Sequence, residues 1–412
     1  MDNLTHGLAG LVVAELACAY ETRQTGRRPE WRGLACFTSF LAQNLPDSDF
    51  LFIGLTGGKL GYLVQHRGYT HTLLAVLPLA LIALAPAALW LKARRRTLAP
   101  RGWAYLLGLA VVGGVMHVSM DGSNDYGVHP LWPLDPRWFY GDAIFIIEPL
   151  LWASAIPALL FLVRTRVAKT LLVLQLVAIL TATFLIRDMV RLPTALLVTG
   201  WAALVFVWAR RLAPSRLPWL AAGAWATATL LFVLASGRAE RVVRQAHAEL
   251  HPEATLHDVI LTPSPADPLC WRALTVSTTS TTYALRVAGV SLWPSAVTPE
   301  DCPRVVRDGT APLVSEARRS VHGVLEVSHL VSPLSDVRAT RTRCDVDTFL
   351  RWSRVPFWLF EPDALVVGDL RYDRERELGF AEVSLPRGAP EACPENVPTW
   401  GTPRVDVVGP RR

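Results

Sequence analysis

Charge is scarce in this chain: Asp, Glu, Lys and Arg make up 18% of the 412 residues, against 51% apolar residues and a mean hydropathy of +0.29. It is almost absent from several stretches of roughly 20 residues, the length that crosses a bilayer as a helix. A soluble core of this size needs no such stretches, so the composition excludes an ordinary soluble enzyme and indicates an integral membrane protein. Acid is rarer still in the first part, where only twelve Asp or Glu precede position 237. A basic lead is missing too. The chain opens Met1-Asp2, and its first apolar run carries His6 and Glu15, which argues against a cleaved signal peptide and predicts that the run is retained.

The apolar runs at 72–91, 103–120, 143–163, 168–187, 192–210 and 217–236 are long enough to span. Two shorter ones, 4–20 and 33–45, are read as helices completing the bundle. Loop charges orient it. One set of alternate loops holds Arg23, Arg27, Arg28 and Arg32; Lys92, Arg94, Arg95, Arg96 and Arg101; Arg164, Arg166 and Lys169; and Arg210, Arg211 and Arg216. The other holds Lys59, Arg67, Arg137, Arg187 and Arg191, and 15 cations against 5 assign the first set to the cytoplasm. The segments 46–71 and 121–142, and the part that follows a last crossing ending near Arg238, are then expected on the extracytoplasmic side. These loop arginines explain the net charge of +6 through topology and anionic lipid contact, so no nucleic-acid partner is expected.

Beyond position 238 the apolar runs shorten and Pro becomes frequent. The expected architecture is a membrane α-helical bundle of six to eight apolar helices over residues 1–238, with a soluble, mainly β domain over 239–412. Val324-Leu325-Glu326-Val327, Ala364 to Tyr372 and Leu274 to Val290 favour strands, while Asp345 to Phe360 reads as an amphipathic helix. Cys270, Cys302, Cys344 and Cys393 lie in this part. An even number in an exported domain predicts two disulfides, with three pairings open; Cys18 and Cys36 read as packing residues.

Seven of the twelve early acids (Asp47, Asp49, Asp121, Asp125, Asp135, Asp142 and Glu148) gather in or beside the two outer segments, where random solvation would spread them. His117 and Asp121 are four apart at the end of an apolar helix, so they share a face and can hold one ion. Leu45-Pro46-Asp47-Ser48-Asp49 puts two carboxylates after a helix-ending proline; either could instead cap the next helix. In His66-Arg67-Gly68-Tyr69-Thr70-His71, Gly68 permits a sharp turn, Thr70 is a capping candidate, and His71 opens the following helix. Arg67 suits bidentate binding of phosphate or carboxylate, or a salt bridge to a site aspartate. Thr5-His6 echoes Thr70-His71. Asp142 and Glu148 flank the next helix as candidate ligands, orienting partners or general base, and Glu148-Pro149 also reads as a helix start. This imidazole and carboxylate mixture suits zinc, with manganese or iron as alternatives, in one to three ions.

Taken in order, Thr5-His6, LPDSD, HRGYTH, and HVSMD followed by Asn124-Asp125-Tyr126-Gly127 resemble the motif series of the YdjM-like inner-membrane proteins, a family of metal-dependent hydrolases, over roughly residues 1–150. The resemblance implies a metal site of His6, Asp47, Asp49, His66, His71, His117 and Asp121, with Arg67 accessory. Asp142 to Pro149 is similar to an acid-proline segment of longer members. Thr72 departs from the Ser frequent there. A more distant similarity to zinc-dependent phospholipase C implies phosphoester hydrolysis. The expected activity is metal-assisted hydrolysis of an amphiphilic or lipid-linked ester at the bilayer surface, with Asp49, Asp121 or Asp142 accepting the proton of water and Arg67 binding a phosphate oxygen. Two other classes stay open: a transporter with a His/Asp relay, and a membrane anchor whose metal is structural. The apolar character of the last three runs weighs against a transmembrane relay.

Overall fold

The computed structural model describes residues 1–303, 314–372, 379–386 and 393–410, the side chains of 314–318 excepted. Its first element is α1 (Asn3–Thr25), started by Asp2, whose carboxylate accepts from the backbone N–H of Leu4 and Thr5 at 3.0 Å, and ended by Gly26 at φ 71°. Glu15 and Glu21 keep α1 from reading as a membrane span by composition. Both are buried and paired, Glu15 with Arg32 and Glu21 with Arg101. Next come α2 (Arg32–Ala42), a 3-10 segment at Leu45–Phe52, the short α3 (Ile53–Thr56) and α4 (Gly58–Gln65), and a 3-10 turn at Tyr69–His71.

Among the described residues, five helices have the length and hydropathy of membrane spans: α5 (Leu73–Ala93), α6 (Pro100–Asp121), α8 (Arg166–Leu185), α9 (Leu192–Arg211) and α10 (Leu217–Leu250). Leu74, Leu77, Leu81 and Leu89 of α5 and Leu171 and Leu174 of α8 are exposed, an arrangement stable in lipid and costly in water. Between α6 and α8 lies α7 (Pro149–Leu162), nearly all of it buried against α1, α8, α9 and α10. It is shorter than the expected 143–163 run because Glu148 and Pro149 fix its start: the Glu148 carboxylate accepts from Leu150 N–H at 3.0 Å, and Pro149 has no N–H to satisfy. Each apolar run read from the sequence corresponds to an observed helix, but of the six read as long enough to span, the 143–163 run gives only the 14-residue α7.

α10 is 34 residues long, about 50 Å at 1.5 Å per residue, so it overshoots a hydrocarbon layer of about 30 Å. Its projecting end packs on β1 (Thr255–Ser264) and β2 (Asp267–Thr278), which with β3 (Thr282–Ser291), β4 (Val314–Val321) and β5 (Val324–Pro333) form an antiparallel sheet in the order β1-β2-β3-β5-β4. Two short helices, α11 (Leu334–Ala339) and α12 (Cys344–Leu350), lead to a second sheet of β6 (Pro356–Phe360), β7 (Ala364–Asp369) and β8 (Glu382–Pro386); α13 (Val405–Val408) follows. The disulfides are Cys270–Cys302 and Cys344–Cys393, while Cys18 and Cys36 are unpaired.

The helix expected over Asp345 to Phe360 is a correction: only its first part is helical, and from Pro356 the chain is a strand. Asp369 explains the break. Its Oδ2 accepts from Ser353 Oγ (2.7 Å) and from the backbone N–H of Arg354 (2.9 Å) and Val355 (3.3 Å), drawing off donors that a continuing helix would use.

The β-rich part sits directly on the loops that carry the His/Asp motifs. Trp400 donates its indole N–H to the Val64 carbonyl (2.9 Å), Trp138 to the Arg351 carbonyl (2.9 Å), and Arg371 donates to the Asp125 carbonyl (2.7 Å). Leu63, Val64, Tyr126 and Trp138 share one apolar core with Trp352, Phe357 and Trp400. On the other flank, the β1–β2 turn docks on the ends of α7 and α9: Ala266 N–H reaches Glu148, and Arg191 and Thr194 both bind Asp267.

Candidate metal centre

Four side chains converge beneath this roof. Asp47 comes from the 3-10 segment that replaces helix after Pro46, His71 from the turn before α5, and His117 and Asp121 from successive turns on one face of α6. His71 and His117 are fully buried and Asp121 almost so, while the Asp47 side chain is 18% exposed. His71 Nε2 and His117 Nε2 lie 3.1 Å apart. Asp121 Oδ2 is 3.1 Å from the first and 3.5 Å from the second, and Asp47 Oδ1 is 3.5 Å from both.

These distances fit a cation. Four donors at zinc-like bond lengths of about 2.0–2.1 Å in a tetrahedron would stand roughly 3.3 Å from one another, and five of the six separations here run from 3.1 to 3.5 Å. Proton placement agrees. His117 Nδ1 is 2.6 Å from the Gln43 carbonyl, which can only accept, so Nδ1 carries the hydrogen and Nε2 offers a lone pair to the cluster. His71 Nδ1 faces Asp49 Oδ2 (3.6 Å) and Thr70 Oγ1 (3.3 Å), which leaves its Nε2 for the same point. Burial holds the His71 imidazolium down at about 3, so the ring is neutral and able to ligate. With the His71 proton on Nδ1, two lone pairs face each other at 3.1 Å in a buried site, and a positive charge between them would remove their repulsion.

The other residues singled out in the sequence fall around this centre in distinct places. His6 stacks on His117 with ring centroids 3.8 Å apart, and its Nε2 is 3.2 Å from Asp121 Oδ1; its Nδ1 is buried with no partner among the described residues. Asp49 sits behind the imidazoles rather than among the four donors. Its Oδ2 takes the backbone N–H of Arg67 (2.5 Å) and faces Nδ1 of both His66 (3.2 Å) and His71 (3.6 Å). Burial alone would raise the Asp49 carboxyl, yet the His66 hydrogen bond and the neighbouring imidazoles hold it below the ordinary range. His66 is a quarter exposed and lies at the rim.

Arg67 is buried at φ 56°, a left-handed backbone position that few non-glycine residues adopt. Its guanidinium binds the Asp121 carbonyl (2.9 Å), Asn124 Oδ1 (3.0 Å) and Asp121 Oδ1 (3.2 Å), and lies over the Tyr126 ring. It ties the HRGYTH loop to the end of α6. The Met1 amino group also contacts Asp121. Asp142 is not brought to the four donors: Arg354 holds it bidentately at 2.7 and 2.9 Å and also binds Asp258. Asp125 is engaged by Thr262 and Tyr372, and Glu148 caps α7. All three link the membrane loops to structure outside the cluster.

Sequence reasoning missed Gln43, Asn124 and Arg354. Gln43 acts through a backbone carbonyl, which no side-chain motif encodes. Asn124 carried a signal, as part of the Asn124-Asp125-Tyr126-Gly127 stretch.

A bundle of membrane-length apolar helices with an imidazole and carboxylate cluster at one end defines the class: a membrane protein with a site able to hold a metal. Residues 1–192 match the model of the family described as YdjM inner membrane protein, the family whose motif series the chain resembles. No curated protein and no solved structure matches the chain.

Proposed function

We propose that this chain is a membrane-bound, metal-dependent hydrolase that cleaves a phosphoester or other ester of an amphiphilic or lipid-linked substrate. The observation that carries the reading is the facing pair of Nε2 atoms, 3.1 Å apart and flanked by Asp47 and Asp121. His71, His117, Asp47 and Asp121 would hold the ion, with His6 beside Asp121. A bound divalent ion of the zinc class supplies an acidified water and polarises the scissile group. Three of the four donors are sealed, so the approach is on the side of Asp47 and His66, the two partly exposed members. His66, backed by Asp49 at 3.2 Å, would take and hand on a proton. Arg67 is already committed to Asp121 and Asn124, so its part is to hold Asp121 and the loop in place.

The location supports an amphiphilic substrate. His71, His117 and Asp121 lie at the ends of membrane-length helices and Asp47 in the 3-10 segment beside them, and by the cation count of the loops that end, with the β-rich part against it, would face the extracytoplasmic side. A second reading, a closed structural metal, draws on the near-complete burial of the same donors. Assays of the purified, metal-loaded protein on a panel of lipid phosphoesters and carboxylic esters separate the two. Hydrolysis that disappears in a folded His117→Ala/Asp121→Ala variant is expected; no turnover on any member of the panel, or turnover indifferent to those substitutions, contradicts the proposal.

A further inference from the structure

A second cluster of metal-ligating side chains lies away from the candidate centre, where α10 meets the five-stranded sheet. His247 and His251 are one turn apart at the carboxyl end of α10, in a His-x-x-x-His spacing that places both on one face. Glu326 reaches them from β5: its carboxylate oxygens are 3.0 and 3.1 Å from His251 Nε2. One donor atom from each residue falls within 4.8 Å of the other two. All three are more than nine-tenths buried, with His247 2%, Glu326 5% and His251 8% exposed.

Two further observations point to a ligand. Both ring nitrogens of His247 are buried without a hydrogen-bond partner among the described residues, although an imidazole N–H left unpaired in a protein interior carries a desolvation cost. Beside Glu326 the β3–β5 register slips: Val287 pairs with Ser328 and Ala288 with Glu326, so Val327 is the extra residue of a bulge. Such bulges re-aim side chains. The carboxyl end of a helix also carries the negative end of its dipole and favours a cation.

We infer that His247, His251 and Glu326 form a second metal site, which takes a zinc-class divalent ion and clamps the projecting end of α10 to β5. Two imidazoles and one carboxylate are a donor set that zinc accepts, with a fourth position left for water. The ion satisfies His247 and joins two segments 75 residues apart in sequence. Arg286 on β3 is the competing charge. It acts electrostatically on both His247 and Glu326, while one of its N–H groups donates to Ser277 Oγ at 2.8 Å.

The test uses the full chain carrying His117→Ala and Asp121→Ala, so that the membrane-end centre does not contribute, with Zn2+ alone as the probe. After loading and dialysis this background should retain one equivalent of zinc, and its thermal midpoint should rise on zinc addition. Adding His247→Ala should remove both the retained equivalent and the zinc-dependent rise. Glu326→Gln, close in shape and uncharged, should do the same and guards against misfolding of the first variant; Arg286→Gln should tighten zinc binding. A background protein that neither retains zinc nor is stabilised by it overturns the inference, as does full retention in either His247→Ala or Glu326→Gln.

Discussion

Asp49→Asn probes the logic of the centre more sharply than deletion of a donor. Asp49 Oδ2 serves the Arg67 N–H at 2.5 Å and faces Nδ1 of His66 at 3.2 Å and of His71 at 3.6 Å. An asparagine carbonyl can occupy that position and keep the three contacts, so the loop stays folded and only the negative charge behind His71 is lost. Removing an outer partner of a metal-binding imidazole typically lowers affinity about 10- to 100-fold, or about 1.4–2.7 kcal/mol. Competition titration against a chromophoric chelator reads this directly. Asp49→Ala should be worse, because it also strands the buried Arg67 N–H, at about 1–3 kcal/mol of folding stability. Unchanged zinc affinity in Asp49→Asn would refute the orienting role. Complete loss, equal to that of Asp121→Asn, would make Asp49 a direct ligand.

Arg354→Met should cost about 3–5 kcal/mol of stability in denaturant titration, because Asp142 loses its bidentate partner in a buried site; metal content should not change, whereas a fall would restore Asp142 to the centre. Gly68→Ala should lower zinc affinity roughly tenfold or more, since an added Cβ would stand 2.5 Å from the Gln65 carbonyl oxygen and the His66 to His71 turn must shift; unaltered affinity would show that the turn has slack. Asp369 gives the pH dependence. Burial would raise its carboxyl, but Arg371 and Ser353 hold it below the ordinary value, so its contribution is complete above about pH 4 and is lost as pH falls through the depressed value. Tryptophan fluorescence against pH should show a weaker acid dependence in Asp369→Asn, and an identical acid limb in both proteins would contradict this.

The gathering of Asp47, His71, His117 and Asp121 was legible in the sequence because each motif is local. His117 and Asp121 are four apart on one helix, LPDSD sits at a helix stop, and His71 lies in the turn just before a membrane-length helix, so periodicity and turn residues were enough to bring these residues to one end of the bundle. The ranking of Asp47 over Asp49 was not legible. The two are two residues apart in a 3-10 segment, and only the fold sends one to the imidazole Nε2 atoms and the other behind them. That Asp142 falls outside the four donors was not legible for a related reason: its partner Arg354 lies 212 positions away, beyond the reach of any spacing rule. The same distance effect explains the helix expected over Asp345 to Phe360. Its apolar pattern is real, but Asp369, on a strand formed later in the chain, captures the donors at residues 353–355. Apolar runs, by contrast, need no partner to be recognised, and each has its helix, although α7 starts later than its run and α10 continues past its own to Leu250.

The central claim is that His71, His117, Asp47 and Asp121 hold a metal ion. Metal analysis of the full chain in a His247→Ala background, with and without His117→Ala/Asp121→Ala, tests it most directly, since the background removes the other candidate ion. At least one equivalent of a divalent transition metal should be present in the first protein and absent from the second, with both proteins folded. Equal metal content in the two, whether none or one equivalent, would contradict the account.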